Sequence, residues 1–158
     1  MSLSPKYFDL STSSGNSDEA QLYGFVPAIL IEEKKVMKLS STEIWALARL
    51  AFWQLDRGRY REAEAIARGV LAIDPHHGEA WAYFAIARRN QRDLEGAIRA
   101  LAEAYRHRPE REDFALLFVE CLMQAGRRQE ARQVALQSLD RNLETGMRHR
   151  FQWILETL

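Results

Sequence analysis

Four histidines, one cysteine and a few acidic pairs are the residues of this 158-residue chain that could do covalent or metal chemistry. His76 and His77 are adjacent and follow Pro75, whereas His107 and His149 stand alone. A metal site needs further His, Cys or carboxylate ligands at coordination spacing, and none accompanies these histidines. Cys121 falls on an inward-facing helix, where a thiol packs as an inert small hydrophobe and not as a nucleophile. Glu32-Glu33 and Glu112-Asp113 read as solvated helix surface and helix start. There is no Gly-rich phosphate loop, zinc pattern or hydrolase elbow. No catalytic residue, metal or cofactor is therefore expected, and the function to look for is binding.

Composition narrows the partner. Lys plus Arg and Asp plus Glu are both 22, so the formal net charge is zero. Nucleic-acid binding draws on a basic excess to neutralise phosphates, and membrane-surface binding on a polybasic patch; neither is present. The most apolar early run, Phe25 to Ile31, is too short to span a bilayer. The N-terminus lacks the charged-then-apolar order of a signal peptide. One cysteine closes no internal disulfide. The expected location is the cytoplasm.

The elements that would present a binding surface are legible as a repeat. Pro75 and Pro109 close two similar stretches and lie 34 residues apart, the tetratricopeptide period. This register gives repeats at 44–77, 78–111 and 112–143. Consensus position 8 is then Ala51, Ala85 and Val119, position 20 is Ala63, Ala97 and Ala131, and position 24 is Ala67, Leu101 and Ala135. Small residues at 8 and 20 let the two helices of a hairpin approach closely. Larger ones at 4 (Leu47, Trp81, Ala115) and 7 (Leu50, Phe84, Phe118) fill the groove between neighbours. Gly58 and Gly126 occupy the turn at position 15, where a residue without Cβ takes a positive φ; Arg92 replaces that glycine in the second repeat. Leu143 stands where a third closing proline would be.

Residues 1–17, rich in Ser, Thr, Asn and Gly, are expected to be disordered. Residues 18–40 read as an N-terminal helical segment with Pro27 at a first turn and Ile29, Leu30, Val36 and Met37 on one side. That apolar side is expected to pack on the first repeat or on a second copy of the chain. Ser40 and Glu43 have capping-box spacing. Residues 144–158 read as a capping helix that covers the last repeat with Phe151, Ile154, Leu155 and Leu158. The expected fold is all-α: a three-repeat tetratricopeptide solenoid with a helix at each end.

In such a solenoid the first helix of each repeat lines the concave side. Consensus spacing places Trp45, Ala48, Arg49, Phe52 and Leu55 of the first repeat there. The second repeat contributes Ala82, Tyr83, Ile86 and Arg89, and the third Leu116, Glu120 and Met123. The lining is largely apolar, as a peptide groove would be. The Lys, Asn and Arg set of a carboxylate clamp is missing, which argues against a terminal Glu-Glu-Val-Asp type tail as the ligand.

Two stretches carry a closer resemblance. Ala51-Phe52-Trp53-Gln54-Leu55-Asp56-Arg57-Gly58-Arg59-Tyr60-Arg61-Glu62-Ala63-Glu64 and Glu120-Cys121-Leu122-Met123-Gln124-Ala125-Gly126, with Glu130-Ala131, resemble the class II translocator chaperones of bacterial type III secretion. That family's Gly-Leu-Gly and Cys-x-Gln elements are replaced here by Tyr83-Phe84-Ala85 and Arg88-Arg89-Asn90. The resemblance implies a cytoplasmic export chaperone that holds a secretion substrate in its groove, and a homodimer formed through the N-terminal helix. The alternative from another class is a general tetratricopeptide scaffold that joins components of a larger assembly.

Overall fold

A computed structural model describes residues 39–141 and 143–158. Among these residues there are seven α-helices and no strand: α1 (Ser41–Asp56), α2 (Tyr60–Ile73), α3 (Gly78–Asn90), α4 (Leu94–His107), α5 (Glu112–Gln124), α6 (Arg128–Leu139) and α7 (Thr145–Thr157). The expectations for residues 1–17 and for the helical segment before Leu39 lie outside the described residues.

Helix starts follow local chemistry. The Ser40 hydroxyl accepts from the Glu43 N–H at 3.3 Å, and the Glu43 carboxylate accepts from the Ser40 N–H at 2.7 Å, completing the expected capping box of α1. His77 Nδ1 accepts from the Ala80 N–H at the start of α3, and Asp93 accepts from the Gly96 N–H at the start of α4. The turn inside each hairpin has one geometry. Arg59 N–H donates to Gln54 O, Asp93 N–H to Arg88 O and Arg127 N–H to Leu122 O, with the residue before each donor at φ 67–73°. These are Schellman turns, which satisfy the last carbonyls of α1, α3 and α5.

Successive helices pack as antiparallel hairpins, α1 with α2, α3 with α4 and α5 with α6, and each hairpin stacks on the next through α2–α3 and α4–α5. The small-residue positions do what their size suggests. Ala51, Ala85 and Val119, Ala63, Ala97 and Ala131, and Ala67, Leu101 and Ala135 are all fully buried. One contiguous core runs from Ala48 to Ile154, and α7 closes its end with Phe151 fully buried. Among the described residues Ser138 is the single buried polar residue, and its hydroxyl donates to the Val134 carbonyl at 2.8 Å. Leu143, in place of a proline, is buried at the α6–α7 junction. No helix among the described residues is long and apolar enough to cross a membrane.

Position 7 departs from expectation once. Phe84 is buried and Phe118 half-buried, but Leu50 is exposed. Position 7 packs against a preceding hairpin, and none precedes α1 among the described residues.

Candidate functional site

The first helices α1, α3 and α5 follow one another along the stack, α1 touching α3 directly and Arg89 of α3 reaching Glu120 of α5. At the start of the stack, Trp45 and Phe52 of α1 expose about half of their surface, 56% and 49%. That is unusual for residues this large and apolar. The Arg49 guanidinium lies over the Trp45 ring, 5.1 Å from its centroid. Phe52 meets Tyr83 of α3 across the helix boundary, ring centroids 5.6 Å apart. Leu55 and Ile86 are half-buried beside them. Burial, helped by Glu79 and Asp113 and opposed by Arg111 and Arg49, pushes the Tyr83 phenol up, so it stays neutral and can donate a hydrogen bond.

Further along, polar groups bridge the helices. Arg89 of α3 reaches Glu120 of α5 at 3.4 Å, and Arg150 of α7 approaches the other Glu120 oxygen at 3.9 Å. Leu116, Glu120, Met123, Arg150, Trp153 and Ile154 enclose a cavity of about 160 Å³, enough for one aliphatic side chain. Trp153 and Arg150 belong to the capping helix, so repeat spacing does not find them. Their signal in the sequence is Trp153 itself, a large apolar residue off the Phe151, Ile154, Leu155 and Leu158 stripe; in the structure it is 64% exposed.

Three expected groove residues are not available to a ligand in the way spacing suggests. Ala48 and Ala82 are buried, and Leu116 is 7% exposed. All three hold consensus position 5. Ala48 belongs to the core that α1 shares with α3, which touch directly, and Ala82 packs with Ala104 and Phe114. Position 5 faces the neighbouring repeat because the helices pack closely enough to cover it. Leu116, at the end of the stack, lines the cavity it shares with α7. Trp45, Arg49, Phe52, Leu55, Tyr83, Ile86, Arg89, Glu120 and Met123 all keep some exposure. Arg49 and Arg89 are engaged with Trp45 and Glu120.

The residues singled out for covalent or metal chemistry fall elsewhere. Cys121 is fully buried, and burial pushes its thiol up despite Arg89. His107, isolated in sequence, stands edge-on to His76 with centroids 5.0 Å apart. Among the described residues no three of His, Cys, Asp and Glu gather as a metal ion would require.

Comparison with known proteins bears on the fold. The tetratricopeptide repeat family matches over residues 89–144. No curated protein sequence matches the chain. Solved structures do. The type III secretion translocator chaperone SycD of Yersinia enterocolitica superposes with a TM-score of 0.69 at 21% identity, covering 76% of this chain and 86% of SycD. SycD in complex with a peptide of the translocator YopD superposes with a TM-score of 0.68 at 20% identity, covering 76% and 95%. PcrH of Pseudomonas aeruginosa also gives 0.68, at 17% identity, covering 79% and 98%. At this level of identity the likeness establishes the fold: the chain is an all-α stack of tetratricopeptide-type helical hairpins, the architecture that these chaperones share.

Proposed function

We propose that the protein is a cytoplasmic export chaperone of a type III secretion system that holds an apolar stretch of a secretion substrate along the α1–α3–α5 face. One observation carries this reading. Trp45 and Phe52 are half-exposed on α1, Phe52 meets Tyr83 of α3, and the third first helix, α5, lines a cavity with α7. A face of this kind is costly to leave bare and suits a client that exposes apolar side chains of its own. The complex of the similarly folded SycD with a peptide of the translocator YopD supports the choice of client class. The chemistry is non-covalent: apolar anchors enter pockets, and Arg49 and Tyr83 offer hydrogen bonds to backbone carbonyls.

Co-expression with neighbouring genes identifies the client, and calorimetric titration measures its affinity. A well-seated anchor accounts for about 2 kcal/mol of binding. Phe52→Ala combined with Ile86→Ala is therefore expected to weaken the client by more than about tenfold while the helical circular-dichroism spectrum is unchanged. Unchanged affinity in the folded double variant would place the client elsewhere. A client that binds only as a folded protein would favour the general scaffold instead.

A further inference from the structure

The three hairpin turns place one residue each in the left-handed region: Gly58 at φ 70°, Gly126 at φ 73° and Arg92 at φ 67°. Glycine adopts this conformation freely, whereas the Cβ of an arginine crowds the backbone there. A non-glycine residue held in this region is a form of strain that concentrates at binding sites. Folding does not account for the arginine. The C-terminus of α3 already has Arg88 and Arg89 in its last turn, and backbone bonds close the turn as they do in the two glycine cases. Arg88 is paired with Asp93 at 2.7 Å and Glu64 at 3.0 Å, and Arg89 with Glu120. Arg92 makes no ion pair among the described residues.

Arg92 lines an open cleft of about 520 Å³ with Arg89, Asn90, Leu94 and Gln124. Arg89 is bonded to Glu120 and the Asn90 amide donates to the Ile86 carbonyl at 2.8 Å, which leaves Arg92 and Gln124 as the polar side chains of the lining without such a bond among the described residues, and no Asp or Glu is among the lining residues. Arg89 joins this cleft to the apolar α5–α7 cavity, because Glu120 lines that cavity and bonds to Arg89. A ligand lying on the first-helix face could thus place an apolar side chain in one opening and a neighbouring side chain in the other.

We infer that the Arg89–Arg92–Gln124 cleft is a subsite for an acidic side chain of the bound client, next to its apolar anchor. The inference rests on the client reading above and names a specificity for it. A guanidinium fork matches a carboxylate in shape and charge, and the Gln124 amide supplies a neutral donor. The pair is solvent-accessible, so the contribution is selective more than strong.

A randomised peptide library displayed on phage separates the two claims. Selection on the wild-type chain is expected to enrich Asp or Glu at a fixed spacing from an apolar residue. Selection on Arg92→Gly is expected to keep the apolar residue and lose the acidic one. Synthetic peptides from the first pool should bind Arg92→Gly about fivefold more weakly. The same variant should melt at an equal or higher temperature, because glycine relieves the turn. Apolar enrichment without acidic enrichment would overturn the subsite and leave the groove standing. No enrichment at all would overturn both. A lower melting temperature for Arg92→Gly would make Arg92 part of the fold and end the inference. A change in mass by light scattering would do the same, by assigning the cleft to contact between copies.

Discussion

Individual residues act in this protein mainly through their size. Ala97 has no exposed surface at the point where α4 crosses its hairpin partner α3. A larger side chain there must push the helices apart or leave its rotamer. Ala97→Phe is expected to destabilise the chain by about 1–3 kcal/mol, read as a fall in thermal or urea midpoint. An unchanged midpoint would show that the helices can separate at this crossing without loss. Burial also sets reactivity. With Cys121 buried and its thiol pushed up by that burial, the native chain is held against alkylation in a way the unfolded chain is not.

At the scale of a helix, the caps set where elements begin, and Asp93 carries the most. Its carboxylate caps α4 through Gly96 at 2.8 Å and pairs with Arg88 at 2.7 Å. Burial pushes the Asp93 carboxyl up, but the Gly96 N–H and Arg88 more than offset it, so the group stays below its ordinary range. A carboxylate held low in the folded state stabilises above the unfolded value of about 3.9 and loses that contribution as the pH falls through the folded value. Thermal melts should therefore fall progressively below about pH 4. Asp93→Ala is expected to cost about 1 kcal/mol near neutrality through the lost cap. Asp93→Asn keeps a capping oxygen, so it should cost less and flatten the acid dependence. An acid dependence that is the same in wild type and Asp93→Asn would assign it to other carboxylates, of which Asp113, held low by Arg111 against its own burial, is one.

Over the whole molecule, stability is a chain of nearest-neighbour contacts, because each hairpin touches mainly the next. Among the described residues the helix α7 packs mainly on α6, and Phe151 is the fully buried side chain that fastens it. Phe151→Ala is expected to cost about 3–5 kcal/mol. In a linear stack that loss should appear unevenly. Amide hydrogen exchange should accelerate in α6 and α7 first, while α3 and α4 keep their protection. Equal loss of protection in every helix would show instead that the stack unfolds as a single unit. The same substitution would open the cavity wall formed by Trp153 and Ile154, coupling the cap to the candidate site.

What was readable in the sequence is what a repeat makes local. The period between Pro75 and Pro109, the small residues at Ala63, Ala97 and Ala131, and the capping pair Ser40 and Glu43 each report contacts within a hairpin or with the next one. Such contacts recur at fixed spacing, so spacing alone finds them, and the resemblance of two stretches to the translocator chaperones pointed to the same architecture. Other features depend on how closely neighbours approach and on what covers the ends, which no spacing records. Ala48, Ala82 and Leu116 share a consensus position with an exposed reputation, yet the packing of adjacent helices and of α7 buries them. Trp153 and Arg150 join the site because α7 folds back over α5. His107 meets His76 because the ends of successive hairpins lie side by side. Arg92, which looked like a lost glycine, keeps the left-handed turn of its glycine counterparts, since the hydrogen bonds of the Schellman turn hold the backbone whatever the side chain.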